Sequence, residues 1–102
     1  MSLNVTQQTP NAFDILGKKW NGEIINTLLE SKVPLRFTQI SSVVTACSER
    51  VLTQRLKELE SVGIINRISY PGTNKIDYQL TTKGYAMKDF MSSINSWAND
   101  YM

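Results

Sequence analysis

The run SERVLTQRLKELESVG, residues 48–63, constrains the fold more than any other stretch of this 102-residue chain. At 100° per residue, Val51, Leu52, Leu56, Leu59 and Val62 fall within an arc of about 140°. Arg50, Thr53, Gln54, Lys57 and Ser61 take the opposite side. Ser48 is a natural N-cap and Gly63 a C′ glycine, so both helix ends are marked. Strand chemistry follows at once, over residues 64–70 and 75–80. The intervening Pro71-Gly72-Thr73-Asn74 has the residues of a hairpin turn.

Helices also precede this unit. Thr9-Pro10 reads as an N-cap and first helical position, opening a short helix through Ala12, Phe13, Ile15 and Leu16 that stops near Gly17. Trp20, Ile24, Ile25, Leu28 and Leu29 mark a second amphipathic helix that ends by Ser31, before Pro34. Leu35-Arg36-Phe37 has room only for an edge strand. A third helix is predicted from about Thr38 to Val44, and Thr45 to Ser48 forms the turn into the fourth. Thr81-Thr82 caps a final helix running to the chain end. The order predicts a mainly α fold with a small β-hairpin wing (α+β): a winged helix-turn-helix over residues 10–102, after a flexible arm at 1–9.

Composition removes other classes. The chain has no histidine, which excludes the usual catalytic triads, the neutral-pH proton shuttle and most zinc sites. Its one cysteine, Cys47, can form neither an internal disulfide nor a CxxC pair, which fits a reducing cytoplasm. No apolar run reaches membrane-spanning length, and MSLNVTQQTPN lacks the basic and apolar regions of a signal peptide. No nucleophile, base and orienter combine, and no glycine-rich phosphate loop or metal-ligand spacing is present. Neither an enzyme, a cofactor nor a metal is therefore expected. Positive charge gathers in the middle: residues 34–75 carry six Lys and Arg against three Glu, whereas residues 1–33 balance and residues 76–102 are net negative. A polyanion would be met there.

Four segments in order, GKKW (17–20), RFTQI (36–40), SERVLTQRLKELESVGIINR (48–67) and YQLTTKG (78–84), resemble the HxlR family of bacterial transcriptional regulators. That family is a winged-helix branch related to the MarR-type proteins, and the likeness covers about residues 12–101. It implies a homodimeric, double-stranded-DNA-binding regulator, often responsive to small electrophiles, oxidants or metabolites. Two departures stand out. Many redox-sensing members carry a reactive cysteine just before the first helix, where this chain has Gln7, Gln8, Thr9 and Pro10. The family usually has Gly-Ile-Ser before the recognition helix. Here Ala46-Cys47-Ser48 stands there, so Cys47 is expected to fill an isoleucine's buried site.

In a winged helix the fourth helix enters the major groove. Its candidates are Ser48, Glu49, Arg50, Thr53, Gln54 and Lys57. Arg50 suits guanine, Gln54 adenine, Thr53 a thymine methyl or a phosphate, and Lys57 a phosphate. Glu49 either accepts from cytosine N4 or favours the helix dipole. Arg55 lies near the apolar arc and reads as structural, snorkelling or paired with a glutamate. The wing offers Arg67, Thr73, Asn74 and Lys75 to the backbone or minor groove. Arg36 and Thr38 open the third helix, Arg36 meeting either a phosphate or a buried carboxylate. Lys18 and Lys19 are further candidates for backbone contact, and Trp20 belongs to the core.

Ala86, Met87, Phe90, Met91, Ile94, Trp97, Ala98, Tyr101 and Met102 fall in one arc of about 160°, more apolar surface than one small core can cover. A two-fold partner is the expected cover: a homodimer through the terminal helices, using Phe13, Ile15 and Leu16 with Phe90, Met91, Ile94, Trp97 and Tyr101. Met87, Met91, Trp97 and Tyr101 are candidates to line a small-molecule effector pocket between protomers. Cys47, at a helix N-terminus that lowers thiol pKa, is the candidate redox residue. The alternative from another class is a winged helix that contacts a partner protein through the same faces.

Overall fold

Two distant stretches of chain close a small antiparallel sheet in the computed structural model, which describes residues 12–102. Residues 12–17 form helix α1. Then come α2 (Asn21–Glu30), β1 (Leu35–Arg36), α3 (Phe37–Val43), α4 (Glu49–Ser61), β2 (Ile65–Ser69), β3 (Ile76–Leu80), α5 (Thr82–Tyr85) and α6 (Lys88–Tyr101). The strands lie in the order β1-β3-β2, all antiparallel. Leu35 and Arg67 both face Tyr78, so the middle strand ties the edge before α3 to the hairpin after α4. The predicted arm and the Thr9-Pro10 helix start lie outside the described residues.

The predicted elements appear with ends shifted by a residue or two. Ser48 caps α4 by accepting from the Val51 N–H at 3.2 Å. Gly63 ends it at φ 79°, a left-handed conformation that glycine adopts freely. Leu52, Leu56 and Leu59 are buried, each worth roughly 1.5–3 kcal/mol of apolar transfer. They meet Ile24, Ile25 and Leu28 of α2, Ile40 of α3, and Ile64, Ile65 and Leu80 in one core. Trp20 packs against that core from the α1–α2 loop at φ 81°, a rare conformation for a tryptophan. The Arg55 Nε–H holds the same loop by donating to the Lys19 carbonyl at 3.0 Å.

One expected element is different. The final helix is broken into α5 and α6 at Ala86-Met87. Thr81 caps α5 by accepting from the Gly84 N–H, and Gly84 is buried against Ile64 and Leu80. The Met87 N–H then bonds to the Gly84 carbonyl, three residues back, and the chain turns before α6 begins. The turn alters which apolar residues share a face. Met87 and Met91 enter the protomer's own core, while Phe90, Ile94, Trp97 and Tyr101 stay exposed. No helix among the described residues is long and apolar enough to cross a membrane.

Candidate nucleic-acid interface

The buried leucines of α4 settle which of its sides faces outward. Glu49, Arg50, Thr53, Gln54 and Lys57 are all exposed, as is the cap Ser48. Arg55 and Glu58, on the flank nearer the core, are occupied instead. Arg55 bonds to Glu58 at 3.3 Å as well as to Lys19, and Lys18 reaches Glu58 at 3.2 Å. The structural role expected of Arg55 is thus its observed one. Burial opposes ionisation of Glu58, but Lys18 and then Arg55 outweigh it and hold the carboxyl below its usual range.

The sheet places the wing beside this face. Arg67 on β2 lines a groove with Thr53, Lys57, Glu60 and Tyr78, so its neighbours are α4 residues and not the wing tip. A second groove, of about 300 Å³, runs between the start of α3 and the wing, lined by Arg36, Phe37, Thr38, Asn74, Lys75 and Ile76. Thr53, Lys57 and Arg67 thus share one groove and Arg36, Thr38, Asn74 and Lys75 the other, while Ser48, Glu49, Arg50 and Gln54, on the exposed side of α4, line neither. Thr73 belongs to neither. Its hydroxyl donates to the Tyr70 carbonyl at 3.0 Å and accepts from the Lys75 N–H at 3.1 Å, which shapes the turn.

Arg36 stands beside a carboxylate without being buried against it, so both readings named for it stay open. Its Nε is 4.0 Å from Asp77 Oδ1, although the side chain is largely exposed. The Arg36 N–H donates to Gln39 Oε1 at 2.8 Å, closing the first turn of α3. Asp77 and Tyr70, which the sequence candidates omit, are in contact with two of them: Asp77 lies near Arg36 and Lys75, and Lys75 lies over the Tyr70 ring. Aspartate is depleted in strand interiors, and an Asp inside the alternating run KIDYQL was the available signal. The hydrogen bond to Asp77 is the main cause that pushes the Tyr70 hydroxyl above its usual range, so it stays a neutral donor.

Cys47 meets one expectation and corrects another. It fills a core site, only 5 % exposed, as the missing isoleucine would. Burial pushes its thiol pKa up, outweighing the nearby Arg55, so the lowered pKa expected of a helix N-terminus is absent. Within one chain the four residues named for an effector pocket between protomers divide: Met87 and Met91 are buried, Trp97 and Tyr101 exposed. Met87 lines a small apolar hollow with Ile15, Leu16 and Phe90, while Trp97 and Tyr101 stack on each other farther along α6, ring centroids 5.9 Å apart. Of the dimer candidates, Met91 is covered by the protomer's own core, and Ile15 and Leu16 pack against it. Phe13, Phe90, Ile94, Trp97 and Tyr101 are exposed.

A helix with an exposed polar side, a three-stranded sheet and an apolar last helix can be set beside known proteins. A family described as HxlR-like helix-turn-helix matches residues 15–102. The chain belongs to that family. Among its relatives, the HTH-type transcriptional regulator YodB of Bacillus subtilis (strain 168) is 39 % identical over 102 residues, spanning 99 % of this chain and 89 % of YodB. The crystal structure of quinone-bound YodB from B. subtilis matches with a TM-score of 0.79 at 35 % identity, covering 92 % of this chain and 97 % of that one. The redox regulator HypR in its reduced form gives 0.83 at 26 % identity, with 91 % of each chain covered. This HxlR-like chain keeps their architecture while its only cysteine is withdrawn into the core.

Proposed function

We propose that this HxlR-type transcriptional regulator acts in the cytoplasm as a homodimer on pseudo-palindromic duplex DNA. Helix α4 reads the major groove, and the wing follows the flanking backbone. The observation that carries the reading is the division of labour on α4. Arg55 and Glu58 are tied to the fold, whereas Glu49, Arg50, Thr53, Gln54 and Lys57 are exposed and have no side-chain hydrogen bond or ion pair among the described residues. Unused donors and acceptors on the exposed side of a helix whose other side is packed on the core are what base edges require. The exposed apolar side of α6 supports a second copy, which sets two such helices about one DNA turn apart. The quinone seen on YodB supports a small-molecule effector for this chain too, taken up without chemistry at the buried Cys47.

Selection of bound fragments from genomic DNA, followed by footprinting, tests this. Two protected half-sites about one helical turn apart are expected. Affinity should fall with salt by roughly one logarithmic unit of slope per phosphate neutralised. Arg50→Ala should relax the preference at one base position of each half-site, at a cost of about 1–3 kcal/mol. A protein that ignores every duplex in dilute buffer, or binds with no salt dependence, overturns the reading in favour of a protein-contact module.

A further inference from the structure

Asp77 is the one buried carboxylate among the described residues, and its surroundings are unusual. Its Oδ2 accepts from the Tyr70 hydroxyl at 2.8 Å. Two cations stand close without reaching hydrogen-bond distance: Lys75 Nζ at 3.9 Å from Oδ2 and Arg36 Nε at 4.0 Å from Oδ1. Oδ1 accepts no hydrogen bond among the described residues. A buried acid whose work was simply to be neutralised would draw its partners into full contact, since an unmatched buried carboxylate oxygen is costly. Here both cations keep their donors free, with 58 % of the Arg36 side chain and 42 % of the Lys75 side chain exposed.

Other contacts fix the same group. The Lys75 ammonium lies 4.9 Å over the Tyr70 ring, and Tyr70 is anchored by Asp77. Arg36 is paired in register with Asp77, and its backbone is held by Gln39. Arg36 and Lys75 line the roughly 300 Å³ groove from its two sides, one from β1 and one from the wing. Two cations and one carboxylate leave a single net positive charge.

We propose that this groove takes one phosphodiester of the DNA backbone and that Asp77 is the positioning residue that holds Arg36 and Lys75 ready for it. The proposal rests on the DNA reading above. The phosphate oxygens accept from the guanidinium and the ammonium, and charge-assisted bonds of this kind are short and directional. The Asp77 charge, 3.9–4.0 Å from both, biases each side chain toward one position before DNA arrives, so less rotamer freedom is lost on binding. The acid thus favours an anion that its own charge repels. The expected effect therefore has the opposite sign to simple Coulomb repulsion.

The test is a thermodynamic cycle on the duplex selected with the wild-type protein. Asp77→Asn should weaken binding about ten-fold, within the range of directly coupled neighbours. In an Arg36→Ala, Lys75→Ala background the same substitution should no longer weaken it, because nothing is left to position. A gain in affinity in the otherwise wild-type protein overturns the proposal, since the acid would then only repel. An equal loss in both backgrounds also overturns it, since the effect would then come through the sheet. Tyr70→Phe removes only the hydroxyl and guards against Asp77→Asn failing to fold. It should weaken binding by a smaller factor in the wild-type background alone, and no change there sinks the idea. A wild-type protein that binds no duplex removes the DNA reading itself, an outcome distinct from a missing cycle.

Discussion

Cys47 shows how a single side chain can sit where reactivity is expected and be inert. It precedes the α4 N-cap, but its sulfur is in the core and its thiol is pushed up by burial. Thiolate is the reactive form, so a thiol-reactive dye should label native protein far more slowly than unfolded protein at pH 7, by about a hundred-fold or more. Fast labelling of the folded protein would contradict the buried placement. Glu58 gives the residue scale a pH dependence. Its folded carboxyl is held below the usual value, so its contribution is present above the unfolded pKa of about 4.3 and lost as pH falls through the lower folded one. Glu58→Gln should lower stability at pH 7 by up to about 1 kcal/mol, because its partners are partly solvated. Chemical denaturation of both proteins should show the gap closing on acidification below pH 4. At this scale the local facts were legible: the Ser48 cap and the structural Arg55 follow from near neighbours in sequence, and the isoleucine-like site of Cys47 from the family resemblance. Asp77 was not. Its meeting with Arg36 depends on the β1–β3 register, and nothing within a few residues of either reports it.

Elements divide the same way. Helix α4 and the hairpin could be read because cap, apolar stripe, closing glycine and turn lie within one short stretch of chain. The break between α5 and α6 could not, because its cause is a tertiary contact. A Cβ on Gly84 would run into the Ile64 carbonyl oxygen and come within 2.9 Å of Leu80 Cδ2. The short helix is thus seated directly on the end of the sheet, and the chain must turn at Met87 before it can continue. Gly84→Ala should destabilise the protein by about 1–3 kcal/mol or more, as overpacking against a backbone group does. Gly17→Ala, at a position with nothing within reach of the added methyl, should change stability little by comparison. Thermal unfolding of the two variants side by side separates packing from general helix effects. Equal melting temperatures would mean that α5 is not seated on the sheet as described.

The molecule as a whole leaves one surface unexplained by its own core. Phe90, Ile94, Trp97 and Tyr101, between 44 % and 76 % exposed, form an apolar side of α6, while Met91 on the adjoining flank and Met87 just before the helix are buried in the core. Helix α6 is also held to α2 by a reciprocal amide pair, Asn26 with Asn95, at 3.4 and 3.3 Å. Its apolar side is therefore presented by a docked element, and Phe13 of α1 adds to the exposed apolar surface. A monomer would carry this patch in water at the cost of solubility, whereas the proposed two-fold copy would bury it and create the spacing that a palindrome needs. Ile94→Glu probes this without touching the core, because Ile94 is half exposed in the single chain. The variant should keep the wild-type circular dichroism and melting behaviour at low concentration, yet sediment as a monomer at micromolar concentration where the wild type sediments as a dimer. Its affinity for a full palindrome should drop by about a hundred-fold or more, the loss expected when two linked half-site contacts become independent, with half-site affinity unchanged. A variant that stays dimeric would move the interface away from α6. One that turns monomeric yet binds the palindrome as tightly as before would separate dimer formation from DNA reading, and the spacing of the two α4 helices would then have to come from the DNA.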